Sequence, residues 1–315
     1  MITLLATGGT ISMQRSAEAG GNVPALDGRG LLALAGDLGA EVRIEDWERL
    51  PAVHRGPDQL WALRNRIAEL VRNGSSGVVV AHGTDTLEEV AYLLARTLPA
   101  GAPIVLTGAM RTSSDADWDG PRNLRDAVRV AGAPMAVGRG ALVVFAGSIL
   151  DGLEAAKLHT SSPQAFGSPH TAPLGTVDPD GVWFAGPPPA PPRLPLEPRA
   201  LTARAALIPL SIGDDGTLLD LARPHYDGVV IEAFGGGNAP PGIVPAVERW
   251  LAERKPVVLA SRCPFGEVGG EYAFPGGGGH LLRLGVMPAG PRTPALARFE
   301  LELSLSAGVP YGGYP

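Results

Sequence analysis

Apolar residues along the chain gather in short continuous runs, separated by glycines and by amphipathic stretches. Residues 2–6 (Ile2, Thr3, Leu4, Leu5, Ala6) form such a run, closed by Gly8 and Gly9, and predict a buried strand entering a tight turn. Residues 77–81, 103–107 and 141–145 repeat the pattern. Continuous rather than alternating apolar runs suit a parallel sheet covered on both faces. Between the first two, Leu60, Leu63, Ile67, Leu70 and Val71 recur at helical spacing over 58–72, with Asp58 following Pro57 at the start. A helix over 86–97 carries Glu88 and Glu89 in its first turn, where the dipole favours acid, and 123–130 predicts another. Residues 14–28 are polar, glycine-bearing and aperiodic, and read as an exposed loop.

Residues 186–198 hold too many prolines for a helix or a central strand and predict a semi-rigid linker. Beyond it lie two more strand–helix repeats, with strands at 228–234 and 256–260 and a helix near 243–253. Strands interleaved with helices predict an α/β fold. The chain's 315 residues exceed the roughly 250–300 at which one core stops growing. The expected organisation is a larger N-terminal α/β domain over 1–185, with a mostly parallel sheet and flanking helices. A Pro-rich linker over 186–204 and a smaller C-terminal α/β domain over 205–315 follow.

Composition narrows the function. Twenty-six basic against thirty-two acidic residues leave a net charge of −6, which offers no electrostatic footprint for nucleic acid. The single cysteine, Cys263, excludes an internal disulfide, and no Cys/His cluster has zinc spacing, so no metal is expected. Gly8-Gly9 lacks dinucleotide spacing and 276–279 lacks the Lys-Ser or Lys-Thr of a phosphate loop, so no cofactor is expected either. The chain opens without a basic leader and has no window approaching eighteen uncharged apolar residues, which predicts a cytoplasmic protein without a membrane span.

Ligands on parallel sheets bind at the carboxyl ends of strands, so chemistry belongs just after each run. Three such ends stand out: Ala6-Thr7-Gly8-Gly9-Thr10-Ile11, His82-Gly83-Thr84-Asp85-Thr86 and Thr107-Gly108-Ala109-Met110-Arg111. With Asp119-Gly120-Pro121, Asn123-Leu124, Leu150-Asp151-Gly152, Lys157, 228–235 and Asn238, they make the chain resemble, over nearly its whole length, the bacterial L-asparaginases of the two-domain, threonine-nucleophile type.

The resemblance implies a hydrolase that releases ammonia from L-asparagine through a threonine acyl-enzyme. Thr10 matches the nucleophile, Thr84 the second catalytic threonine, Asp85 the carboxylate that binds the substrate amine, and Lys157 the catalytic lysine. Gly9, Gly83 and Ala109 fall at substrate contacts. The assignment of Lys157 gains weight from codon usage, because twenty-four of the twenty-six basic residues are Arg and only Lys157 and Lys255 are Lys. Arginine cannot release its proton near neutrality, whereas lysine can be tuned to do so. The family further implies a homodimer or homotetramer in which a neighbour's smaller domain completes each site; Asn238, Glu267 and Glu271 are the candidates.

Two departures bear on specificity. Residues 11–30 hold no tyrosine, although the family carries one on that loop. The family's carboxylate-binding serine and its polar neighbour fall on Ala52 and Val53, leaving His54 as the nearest polar replacement. Alternatives to asparagine are therefore glutamine, an asparaginyl peptide or a small-molecule amide, and a non-catalytic binding homologue is a further reading. A tRNA-dependent amidotransferase subunit shares the motifs but is expected to carry an additional N-terminal domain.

Overall fold

The computed structural model describes residues 1–48, 50–189 and 195–312. The chain divides into two compact units, Met1–Pro195 and Leu196–Pro315. The expected linker spans this division, and its residues 190–194 lie outside the described residues.

In chain order the first unit holds β1 (Ile2–Ala6), β2 (Met13–Ser16), β3 (Gly21–Pro24), α1 (Gly28–Ala35), β4 (Val42–Asp46), α2 (Pro57–Arg72), β5 (Gly77–Ala81), α3 (Leu87–Thr97), β6 (Ile104–Thr107), α4 (Gly120–Gly132) and β7 (Ala141–Phe145). It ends with β8 (Ser148–Asp151), β9 (Ala156–Lys157), β10 (Phe166–Gly167), β11 (Gly175–Val177) and β12 (Val182–Phe184). The described residues form one eight-stranded sheet in the order β12-β11-β8-β7-β6-β5-β1-β4. The five strands from β7 to β4 are parallel, and β8, β11 and β12 extend the sheet antiparallel.

Alternation within the apolar runs explains why both faces are covered. Ile2, Leu4 and Ala6 pack with Val79, Val105, Leu142 and residues of α1 and α4, among them Leu31, Leu124 and Val128. Leu5, Val78, Val80, Leu106 and Val143 turn the other way, onto Leu63, Ile67, Val90 and Leu94 of α2 and α3. The chain runs from β1 outward to β4, then returns to the other side of β1 as β5. This reversal makes the carboxyl ends of β1 and β5 a topological switch point, where a crevice opens between diverging loops.

Residues 14–28 are not a loop. They contain the antiparallel hairpin β2–β3, paired from Met13↔Pro24 to Ser16↔Gly21, and the start of α1. The hairpin is partly or fully exposed throughout, so no buried face imposes an alternation on its sequence. The helix expected at 123–130 starts three residues earlier, at Gly120, with Pro121 in its first turn.

The second unit is a smaller parallel sheet, β13-β14-β15-β16, formed by β13 (Ala205–Pro209), β14 (Gly228–Ala233), β15 (Val257–Ser261) and β16 (Met287–Pro288). One face packs on α5 (Thr217–Ala222), α6 (Val244–Ala252) and α7 (Gly278–Leu284), the other on α8 (Pro294–Ala307). The fold is the expected α/β class, with a large, mostly parallel N-terminal sheet and a smaller parallel sheet after it. No helix among the described residues is long and apolar enough to cross a membrane.

Candidate active site

Register aligns the strand ends. Ala6 stands beside Ala81, and Ala81 beside Thr107. The hydrogen-bond ladder continues one residue further, with Thr7 N–H donating to Ala81 O and His82 N–H to Thr107 O. The three loops named from the sequence therefore leave one edge of the sheet together.

They close on one another because their contacts are glycines. Gly9 has φ +97°, and a Cβ there would lie 2.3 Å from the Gly83 Cα. A Cβ on Gly83 would meet the Ala52 Cβ at 2.6 Å, and one on Gly108 would meet the His82 carbonyl at 2.6 Å. Thr10 and Thr84 each follow one glycine of the Gly9–Gly83 contact. Thr10 opens a short 3-10 helix over Thr10–Ser12 and is half-buried, while Thr84 is buried.

Lys157 reaches this edge from β9. Its Nζ donates to Thr84 Oγ1 at 2.9 Å and to Asp85 Oδ1 at 2.7 Å. The lysine side chain is 18% exposed and that of Asp85 67% exposed, so the pair sits at an opening rather than in the core. Because Thr84 Oγ1 accepts from Lys157, its own proton is free to point elsewhere. The arrangement offers a hydroxyl chain polarised by an ammonium and a carboxylate.

Behind the loops lies a buried scaffold that motif reading missed. His82 is fully buried, with Nδ1 2.6 Å from Thr7 Oγ1 and Nε2 3.2 Å from Thr86 Oγ1. Thr7 Oγ1 also lies 3.0 Å from Ala81 O, so the ring is hydrogen-bonded through both nitrogens and ties the end of β1 to the start of α3. Burial, reinforced by the nearby Arg55 charge, pushes the imidazole down to about 3 and keeps it neutral. The Arg55 side chain is itself wholly buried and donates through Nη2 to the Thr7 carbonyl, with Glu48 3.7 Å from its Nε. The third loop is braced by Asp119, whose carboxylate accepts from the Met110 and Arg111 amides at 3.0 Å each. Asn123 Nδ2 donates to Gly108 O at 3.0 Å, and Ala109 is buried beneath it. The Asp119 and Asn123 motif was visible in the sequence, but its bracing role was not, since it depends on contacts across a loop.

Ala52, Val53 and His54 form a single 3-10 turn. Only Ala52 packs inward, against Gly83, whereas Val53 and His54 are exposed. Asn238, Glu267 and Glu271 belong to the second unit. There Asn238 Oδ1 accepts from the first amide of α7, Gly278 N, at 3.2 Å, and both glutamates are exposed.

Comparison with known proteins gives the family. Residues 1–190 match the family model "Asparaginase, N-terminal", and residues 204–311 match "Glutaminase/Asparaginase C-terminal domain". A probable L-asparaginase of Deinococcus radiodurans is 39% identical over 98% of this chain and 94% of its own length. A glutamyl-tRNA(Gln) amidotransferase component of Pyrococcus abyssi is 30% identical over 95% of this chain and 70% of its own. Among solved structures, a probable cytoplasmic L-asparaginase from Campylobacter jejuni superposes with TM-score 0.84 at 27% identity, covering 97% of this chain and 94% of that one. The chain belongs to the asparaginase family and is an amidohydrolase acting on carboxamides.

Proposed function

We propose that the protein hydrolyses L-asparagine to L-aspartate and ammonia through a covalent threonine intermediate. The observation that carries this reading is the Lys157 ammonium, bonded to both Thr84 and Asp85 beside the Gly9–Gly83 contact that seats Thr10. In the first half-reaction Thr10 Oγ1 attacks the carboxamide carbon while its proton enters the Thr84–Lys157–Asp85 relay. The C–N bond then breaks, the nitrogen takes up a proton from the relay, and ammonia leaves. In the second half water adds to the ester carbonyl, the acyl–oxygen bond breaks, and Thr10 regains its proton. Gly9, Gly83 and Ala109 let backbone approach the substrate, and Asp85 faces its amine.

Within the same chemistry the exposed Val53 and His54 and the buried Ala52 favour a second substrate reading, a carboxamide whose carboxylate is blocked or part of a peptide. They provide no hydroxyl where the family binds a free carboxylate. We further propose a cytoplasmic homodimer or homotetramer, in which Asn238, Glu267 and Glu271 face a neighbouring copy's site. The location follows the cytoplasmic Campylobacter jejuni neighbour.

The test is an ammonia-release screen over Asn, Gln, their D-forms, asparaginamide and asparaginyl dipeptides, run for the wild type and Thr10→Val. The variant keeps the shape and removes the hydroxyl, so turnover should fall by several orders of magnitude. Near-normal turnover by Thr10→Val would remove the nucleophile assignment, and no turnover of any amide by the wild type would favour a binding homologue. A kcat/KM for asparagine above those of the blocked amides would decide between the two substrate readings.

A further inference from the structure

Lys157 stands at the end of a very short strand. β9 is two residues long, pairs Lys157 with Phe166 and Ala156 with Gly167, and is extended by one bond from Leu158 N–H to Ala165 O at 2.7 Å. The segment after it, His159 to Ser161, is exposed, and Leu158 itself is 47% exposed. A two-residue ladder with an exposed connection is marginal, so it gives poor control over the tip of a long, flexible side chain.

The missing control comes from the start of α3. Glu88, in the first turn of that helix, turns its carboxylate inward and accepts a hydrogen bond from the Lys157 backbone N–H at 2.5 Å. The same five-residue stretch supplies Thr84 and Asp85 to the lysine's other end. Lys157 is thus gripped at both ends, amide and ammonium, by residues of one rigid strand-to-helix junction, although about seventy positions separate them in sequence. Burial pushes the Glu88 carboxyl above its ordinary range, and the bond from Lys157 pulls it back. A carboxylate in the first turn of a helix would ordinarily remain in solvent and satisfy the dipole there. Its inward position is therefore spent on β9.

We propose that Glu88 is a positioning residue for the amidase reaction, fixing the Lys157 ammonium against Thr84 and Asp85 by holding the Lys157 main chain. The inference rests on the reading of Lys157 as part of the proton relay. It requires an acceptor oxygen at position 88, with no proton transferred there.

The experiment compares Glu88→Ala, Glu88→Gln, Glu89→Gln and Lys157→Ala on the full chain, using the amide that the wild type turns over best. Glu88→Ala should lower kcat by about ten- to hundredfold, the range for losing a hydrogen bond to a charged group, with KM within about threefold. Glu88→Gln keeps an acceptor and should recover most of the loss, and Glu89→Gln should behave as the wild type. Hydrogen exchange should rise in peptides covering 150–167 for Glu88→Ala and stay near wild type for Glu88→Gln. Unchanged kcat or unchanged exchange in Glu88→Ala overturns the proposal, as does equal impairment of the alanine and glutamine variants. If Glu88→Ala does not fold, Glu88→Gln decides, because loss of its kcat or of its exchange protection shows that an acceptor is not enough. Lys157→Ala separates the two readings. An active Lys157→Ala removes the relay, whereas an inactive one beside an unaffected Glu88→Ala removes only the role of Glu88.

Discussion

Lys157 and His82 show how differently two cationic residue types are used within one crevice. Lys157 sits at the opening, and the proposed relay requires it to exchange a proton, which makes Lys157→Arg an informative change. The guanidinium keeps the charge beside Asp85 but cannot be deprotonated near neutrality, so kcat should fall by roughly 10²–10⁴-fold while the melting temperature holds. Activity close to wild type would reduce Lys157 to an ion-pair partner. His82 is the opposite case, a histidine kept neutral so that it can join Thr7, at the end of β1, to Thr86, at the start of α3. Its folded-state value of about 3 lies below the ordinary 6.5, so below pH 6.5 the unfolded chain binds a proton that the folded one refuses. Stability is then lost as pH falls from 6.5 toward 3, at up to about 1.4 kcal/mol per pH unit from this one group. Urea unfolding at pH 7, 6, 5 and 4 should show a shallower acid slope for His82→Gln than for the wild type. Identical slopes would place the acid sensitivity elsewhere.

At the scale of elements, the site is made by glycines that let loops touch, and position decides what each glycine is worth. Gly9→Ala would put a Cβ 2.3 Å from the Gly83 backbone at a φ of +97°. Neither chain can yield without moving Thr10 or Thr84. We expect a loss of about 1–3 kcal/mol in stability and more than about a hundredfold in kcat/KM. Gly20→Ala, in the turn of the β2–β3 hairpin, meets nothing within 4 Å and has φ +66°, so it should cost about 1–2 kcal/mol at most and spare activity. Equal activity loss in both would mean that the close approach is not what matters. The same contrast explains what the sequence could reveal. The apolar strands β1, β5, β6 and β7 were legible because two covered faces force continuous apolar runs. Thr10, Thr84 and Asp85 stood out because the loops after β1 and β5 carry motifs, and Lys157 because it is one of only two lysines and matches the resembled family's lysine. The β2–β3 hairpin was not legible, since an exposed ribbon needs no apolar alternation. Nor were β8, β11 and β12, which begin with a two-residue turn at Ala146 (φ 49°) and Gly147 (φ 82°). Short antiparallel strands with a polar, Pro-rich surround resemble loops. Glu88 and His82 escaped functional reading for another reason, because Lys157 and Thr7, the partners that give them their roles, lie about seventy positions away and nothing local marks a buried hydrogen bond.

At the scale of the molecule, each unit has its own core, yet the second leaves apolar surface in solvent. Phe265, Tyr272 and Phe274 are 66%, 48% and 50% exposed in one glycine-rich segment, and the last two rings lie 5.6 Å apart. Scattered exposed apolar residues are normal, but neighbouring aromatics on one segment mark a surface that gains by being covered. Glu267 and Glu271 lie in the same stretch, interleaved with the rings, which suits a contact that also presents carboxylates. A symmetric homo-oligomer covers such a surface twice at once, and even-numbered cyclic or dihedral assemblies are the common solution. We therefore expect light scattering to give a dimer or tetramer mass. Serine at Phe265, Tyr272 and Phe274 together should shift the protein toward monomer, with the far-ultraviolet circular dichroism unchanged. If the carboxylates of this segment complete a neighbour's site, specific activity of the triple variant should rise with protein concentration as copies reassociate, and Glu271→Gln should lower activity without changing the mass. A wild-type monomer with full specific activity at nanomolar dilution would refute the assembly. A triple variant that stays oligomeric would move the interface to another surface.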